Sequence, residues 1–152
     1  MKQSAGILVY RLMPASLEVL LVHPGGPFWA KKDDGAWFIP KGEIEPGEEP
    51  WVTAQREFRE ELGMAPPAGV PHELGTVKNK GGKLIYAWAL AGDLDLNGFV
   101  SNSFELEWPP RSGKLRSFPE VDRAQYFAVD LAVQKMHPAE LPLIERLLHR
   151  LA

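Results

Sequence analysis

Glu57, Glu60 and Glu61 stand three and four residues apart in a stretch, Trp51 to Leu62, whose apolar residues recur at helical spacing. At about 100° per residue the three carboxylates project within about 100° of arc. Like charges so placed destabilise a helix by about 0.2–0.5 kcal/mol per pair. Arg56 lies at the edge of this face and reaches Glu60 four residues on, but one guanidinium does not neutralise three carboxylates. Taken alone, the residues allow two readings. One is a solvated acidic face. The other is a site for hard divalent cations, which take all-oxygen ligation and often keep waters for a substrate.

The segment before the helix decides between them. From Gly42 the chain reads GEIEPGEEPWVTAQREFREELGM, ending at Met64. Each specified position has a mechanical task. Gly42 lets a loop come close to the helix, so that its carbonyl can add an oxygen ligand. Glu48, near the helix start, can pair with Arg56 or cap backbone N–H groups. Gly63 removes a side chain where the helix ends. Gly42, Glu48, Arg56, Glu57, Phe58, Glu60, Glu61, Gly63 and Met64 together resemble the Nudix box, G-x5-E-x7-R-E-U-x-E-E-x-G-U, with U a bulky apolar residue. The opening SAGILVYR and the phrase Trp37-Phe38-Ile39-Pro40-Lys41-Gly42 also look like the Nudix hydrolases, nearest to those acting on dinucleoside polyphosphates and NTPs.

The resemblance implies an α/β/α sandwich with a mixed β-sheet, one domain over residues 1–152, and hydrolysis of a pyrophosphate link in a nucleoside diphosphate derivative. It implies Mg²⁺ or Mn²⁺ as cofactor, held by Glu57, Glu60, Glu61 and the Gly42 carbonyl. Such ions bridge phosphate oxygens and lower the pKa of a bound water. That explains how an acidic site takes an anionic substrate. Glu57, Glu60 and Arg56 would then serve catalysis, with a glutamate taking the water's proton. In the family this base lies in the helix or on a later loop, where Glu120 is the candidate here and Asp122, Glu105 and Glu107 are its rivals.

Substrate contacts are less sharply marked. Lys41 precedes the box, with Lys31 and Lys32 further upstream, while Arg111, Lys114 and Arg116 occupy a Pro-rich segment. All are basic residues able to meet phosphate. Five tryptophans, Tyr86 and Phe104 offer faces for stacking a base. At the positions after the box where some Nudix subfamilies carry a specificity proline or tyrosine, this chain has Asn79, Lys80 and Gly81. Two further readings stand beside the hydrolase: removal of 5′ pyrophosphate from RNA, and a Nudix-like module that senses a nucleotide without cutting it. The complete set of box glutamates weighs against the sensor.

The elements that must position these residues follow from pattern. Ser4–Leu12 and Leu17–His23 read as strands joined by Met13-Pro14-Ala15-Ser16. Trp37–Ile39 reads as a short strand, and Gly42–Glu49 as a loop. Trp51, Ala54, Phe58 and Leu62 fall within about 80° of arc, giving the box helix a buried face. Strand-like runs follow at 72–78, 83–90, 103–108 and 124–129, and an amphipathic closing helix spans 138–151. With 45% apolar residues and 152 in all, the chain can close one core. It has no cysteine, which removes disulfides, thiolate metal sites and a cysteine nucleophile, and fits a cytoplasmic setting. The formal charge of −3 argues against a stable nucleic-acid partner, and no apolar run suits a membrane. A small nucleotide is the expected partner. A homodimer is compatible with the family, although no residue marks an interface.

Overall fold

The computed structural model describes residues 2–152. Its centre is β1 (Gln3–Leu12), which turns tightly at Met13–Ser16 into β2 (Leu17–Pro24), with the Met13 and Ser16 backbones bonded both ways. Residues Tyr10–Leu12 of β1 pair with β2, and Ser4–Gly6 pair with the three-residue β3 (Lys41–Glu43), both antiparallel. On its other edge β1 runs parallel to β5 (Leu84–Ala91), which pairs antiparallel with β4 (His72–Lys78). β8 (Val121–Ala128) closes the far side against β2. The order β4-β5-β1-β2-β8, with β3 beside β1, is a mixed sheet. β6 (Ser103–Glu107) and β7 (Leu115–Pro119) form a separate two-stranded ribbon.

β1 is buried on both faces, which is why it reads as a continuous apolar run rather than an alternating one. Ala5, Ile7 and Val9 pack with Ala54, Phe58 and Leu62 of α1 (Pro50–Leu62). Leu8 and Tyr10 face the other way, toward Ala132 of α2 (Val129–Lys135) and Leu143, Ile144 and Leu147 of α3 (Leu141–Leu151). Helices therefore cover both faces of the sheet, an α/β/α sandwich. Each fully buried aliphatic side chain in these layers contributes about 1.5–3 kcal/mol.

The ends of α1 matter most for the site. Pro50 opens it, where a missing N–H costs nothing. Gly63 ends it at φ 71°, its N–H bonded to the Arg59 carbonyl, and a Cβ there would lie 2.4 Å from the Val100 carbonyl oxygen. Val100 and Asn102 donate their N–H groups to the carbonyls of Leu62 and Glu60. The returning chain thus caps the helix and brings Asn102 to its acidic face.

Five elements differ from the sequence-based expectation. Trp37–Ile39 is not a strand: Phe38 bridges Val22 and Trp37 bridges Met136 as isolated contacts. Gly42 lies in β3 rather than in a loop, because a three-residue strand is too short to show alternation. Leu115–Pro119 and Val129–Lys135 are regular elements that the polar composition of the first and the shortness of the second conceal. The closing helix begins as a 3₁₀ turn, Pro138–Glu140, before α3 proper. Among the described residues no helix is long and apolar enough to cross a membrane.

Candidate active site

One polar cleft of about 390 Å³ is lined by Lys41, Gly42, Glu43, Glu57, Glu60, Glu61, Lys83, Asn102 and Glu120. Five segments supply it. α1 presents the three box glutamates, and β3 lays its backbone against them. A Cβ on Gly42 would lie 1.9 Å from the Glu57 carboxyl carbon and 2.2–2.3 Å from its oxygens, so any side chain at this position would displace the carboxylate. The start of β5 brings Lys83. The two feet of the β6–β7 ribbon bring Asn102 and Glu120, tied together by the Glu120 N–H bonding the Asn102 carbonyl at 2.7 Å.

Arg56 organises the cleft from its edge. It binds Glu48 in a two-point fork, Nε to Oε2 at 2.8 Å and Nη2 to Oε1 at 2.9 Å. Nη1 reaches Glu57 at 2.9 Å and Glu60 at 3.2 Å, and Nη2 also donates to the Glu43 carbonyl. Thr53, buried rather than on the exposed acidic face, donates its hydroxyl to Glu48 at 2.6 Å. The Arg56 fork, with help from Thr53, holds the Glu48 carboxyl down at about 2. The Glu48 bonds likewise raise Arg56 above its ordinary value. This network welds the segment before α1 to the helix; Glu48 makes no cap bond to the helix start.

Glu57 and Glu61 behave oppositely. Burial raises Glu57, Arg56 opposes the shift, and the neighbouring Glu60 charge adds to it. Burial pushes Glu61 up to about 8, opposed by Lys41 and reinforced by Glu57, while the Lys41 N–H bonds its Oε1 at 3.3 Å. The Glu120 charge raises both groups further, which places it electrostatically within the same cleft. Arg56 holds one oxygen each of Glu57 and Glu60, and no three acidic or histidine side chains among the described residues converge as a ready metal cage. The donor set nevertheless fits a hard divalent ion. It is all oxygen, and Glu57 and Glu61 are raised by burial and by neighbouring carboxylates, both of which a divalent cation relieves.

Several residues lie where the sequence does not point. Lys41 is engaged by Glu140, whose carboxylate is 1% exposed: Oε2 meets Lys41 Nζ at 2.8 Å and Oε1 accepts the Ile39 N–H at 2.9 Å. Glu140 is a hundred residues from its partners, and no local signal marks it. Lys83 reads as the start of a strand and Asn102 as a loop residue, and only the tertiary fold shows that both face the cleft. Beside the cleft, and sharing Lys41, Glu61 and Glu120 with it, lies an apolar hollow of about 190 Å³ that includes Val22, Trp29, Phe38 and Val121.

Arg111 and Lys114 are not brought to this place. Both are exposed in the turn of the β6–β7 ribbon, where Arg111 donates its N–H to Glu107, and neither lines the cleft or the hollow. Arg116 lies over the Phe118 ring and Lys32 over the Trp29 ring. Of the rivals to Glu120, Asp122 bonds buried His23 at 2.8 Å, and Glu105 and Glu107 sit on the ribbon.

Known proteins share this fold. The NUDIX domain profile matches residues 2–147. A bis(5′-nucleosyl)-tetraphosphatase [asymmetrical] from Caenorhabditis elegans is 32% identical over 71 residues, 47% of this chain and 47% of that protein. The match thus spans about half the length of the curated relative. Over the whole fold, a C. elegans Ap4A hydrolase binary complex superposes with a TM-score of 0.69 at 21% identity, covering 98% of both chains. The NUDIX domain of Shewanella oneidensis NrtR, complexed with ADP ribose, gives 0.66 at 18% identity, covering 99% of this chain and 88% of that one.

Proposed function

The chain belongs to the Nudix family, and from that premise we propose that it is a Mg²⁺- or Mn²⁺-dependent hydrolase of a pyrophosphate bond in a nucleoside diphosphate derivative, a dinucleoside polyphosphate or an NTP. The observation that carries this reading is the cleft itself: Glu57, Glu60, Glu61 and Glu120 line one polar space against the Gly42 backbone. Residues 1–152 act in this reading as one Nudix domain.

In this reading Glu57, Glu60 and Glu61 hold the divalent ions, with the Gly42 carbonyl as a further oxygen. Such ions, when bound, would supply positive charge for the substrate's phosphates and would lower the pKa of a water. Arg56 keeps Glu57 and Glu60 oriented through its bonds to both, and Glu48 in turn fixes Arg56. Glu120 lines the same cleft from the foot of the ribbon, in reach of the same charges, and is suited to accept the proton of the attacking water. Lys83, for which no carboxylate lies within ion-pair distance among the described residues, is the freer cation for a phosphate. Lys41 is already held by Glu140 and would meet phosphate with its charge partly offset.

A panel assay tests the proposal. NTPs, dinucleoside polyphosphates, ADP-ribose and nucleotide sugars are offered with Mg²⁺ or Mn²⁺ at mildly alkaline pH, and products are separated by chromatography. Metal-dependent cleavage of one class is expected, with Glu60→Gln slower by at least about 10²-fold, the scale of losing a metal ligand. Turnover by Glu60→Gln at the wild-type rate would refute the site. Nucleotide binding without cleavage by the wild type would point instead to a sensor.

A further inference from the structure

Glu140 is buried, and its two carboxylate oxygens face different partners. Oε1 accepts the Ile39 N–H at 2.9 Å, and Oε2 meets Lys41 Nζ at 2.8 Å. The residue enters on the 3₁₀ turn Pro138–Glu140, which is docked on the segment before β3. The His137 N–H bonds the Trp37 carbonyl, the His137 ring stacks on Phe38 at 5.0 Å, and the Glu140 N–H bonds the His137 carbonyl. A firm local frame thus delivers the carboxylate to one place. A buried ion pair is weak evidence for stability, because well-packed apolar residues in its place often serve as well. What an apolar pair could not supply is a fixed positive charge.

Lys41 stands where three cavities meet. It lines the polar cleft, the apolar hollow, and a second hollow of about 210 Å³ that Glu140 also lines. Its backbone is set by pairing with Gly6 of β1 and by its N–H to Glu61 Oε1. Its ammonium is set from two further sides, by Glu140 Oε2 and by the Phe38 ring, whose centroid is 4.3 Å from Nζ. The side chain is 22% exposed, so the remaining N–H groups of the ammonium can reach an anion in the cleft. A phosphate that drew Lys41 off Glu140 would leave a buried carboxylate unpaired, which is strongly unfavourable. Lys41 can therefore serve a phosphate only at positions that keep it on Glu140.

Resting on the hydrolase reading above, we propose that Glu140 is a positioning residue. It pins the Lys41 ammonium at the junction of the cleft and the hollows, so that the lysine meets substrate phosphate at one fixed point and with reduced charge. The pair favours an aligned phosphate over tight ground-state binding. Glu140→Gln separates these two effects. Both carboxylate oxygens act as acceptors, and an amide has only one oxygen. The Ile39 N–H is buried and has no water to turn to, whereas the Lys41 ammonium has, so the amide oxygen stays with Ile39 and Lys41 is released.

The test compares wild type, Glu140→Gln and the double variant Lys41→Met/Glu140→Gln, with thermal melts to show that each folds; the double variant leaves no member of the pair charged and unpaired. Calorimetry with Mg²⁺ measures binding of inorganic tripolyphosphate, and turnover is followed on ATP and diadenosine tetraphosphate. In Glu140→Gln, kcat is expected to fall by about tenfold or more, the scale of a misplaced contact. Tripolyphosphate is expected to bind it more tightly, by up to about fivefold, the scale of one freed surface charge. In the double variant that tightening is expected to vanish. The assignment is overturned by a wild-type kcat in Glu140→Gln, by unchanged or weaker tripolyphosphate binding in it, or by a tightening that persists without Lys41. Failure of all three proteins to bind tripolyphosphate would overturn it as well. If the wild type cleaves neither nucleotide while tripolyphosphate binding shifts as described, the hydrolase reading fails and the placing of Lys41 by Glu140 stands.

Discussion

Glu48 and Glu61, on either side of Arg56 in the box, are driven in opposite directions, and pH separates them. Glu48 is ionised in the fold down to about 2 because Arg56 and Thr53 bind its charged form. Its contribution to stability is therefore present above the ordinary glutamate value of about 4.3 and is lost as pH falls toward about 2. Glu61 keeps its proton in the metal-free fold up to about 8, because burial disfavours the anion. Between about 4.3 and about 8 the folded state then binds more protons than the unfolded chain, and stability falls as pH rises. Glu61→Gln cannot ionise and removes that slope. With a chelator present, the thermal midpoint of Glu61→Gln is expected to gain on wild type steadily from about pH 5 to about pH 8. A difference between the two proteins that stays flat across this range would show that Glu61 is not held protonated. The sequence does not carry this distinction: Glu57, Glu60 and Glu61 look alike at helical spacing, and only the packing of Lys41 over the helix end sets the Glu61 carboxyl apart from Glu60.

At the scale of elements, α1 is legible because several signals coincide: a buried apolar stripe, Pro50 at its start and Gly63 at its end. β1 and β2 are legible because apolar residues are dense and the turn between them is short. α2 has only seven residues and one fully buried, Ala132, too little for a period to emerge. β7 is almost wholly exposed and pairs only with β6, so it has no apolar face to announce it. The helix end carries a testable requirement. Gly63 adopts a left-handed φ of 71°, and a Cβ would press on the Val100 carbonyl at 2.4 Å. Gly63→Ala is expected to destabilise the protein by at least about 1–2 kcal/mol from the backbone conformation alone, with the steric contact added. Because Val100 and Asn102 both bond the end of α1, denaturant melts should show this loss together with weaker metal binding. A Gly63→Ala protein with wild-type stability would mean that the returning chain is not docked as described.

At the scale of the whole molecule, the cleft joins parts of the chain that are separate in sequence: β3, α1, the start of β5 and the two feet of the ribbon. The Nudix box accounts for the first two. Lys83 and Asn102 enter through tertiary closure, and Glu140 from the far end of the chain holds Lys41; no spacing rule links them to the box. Arg111 and Lys114, attractive as basic residues in a loop, are carried away from the cleft by the ribbon whose turn they occupy. A divalent ion held between these segments binds the folded chain and not the unfolded one, and so stabilises it by mass action. At about a hundred times its dissociation constant the gain is about 2.7 kcal/mol. For a domain of this length that corresponds to a rise of roughly 5–10 °C in the thermal midpoint. Mg²⁺ or Mn²⁺ is therefore expected to raise the midpoint of wild-type protein by this amount, and a chelator to reverse it. Sodium chloride at matched ionic strength controls for simple screening of the −3 charge. Glu60→Gln should keep its metal-free midpoint, or gain slightly as repulsion along α1 eases, while losing most of the metal-induced rise. An undiminished rise in that variant would place the ion elsewhere on the molecule and dissolve the link between the acidic cleft and the metal.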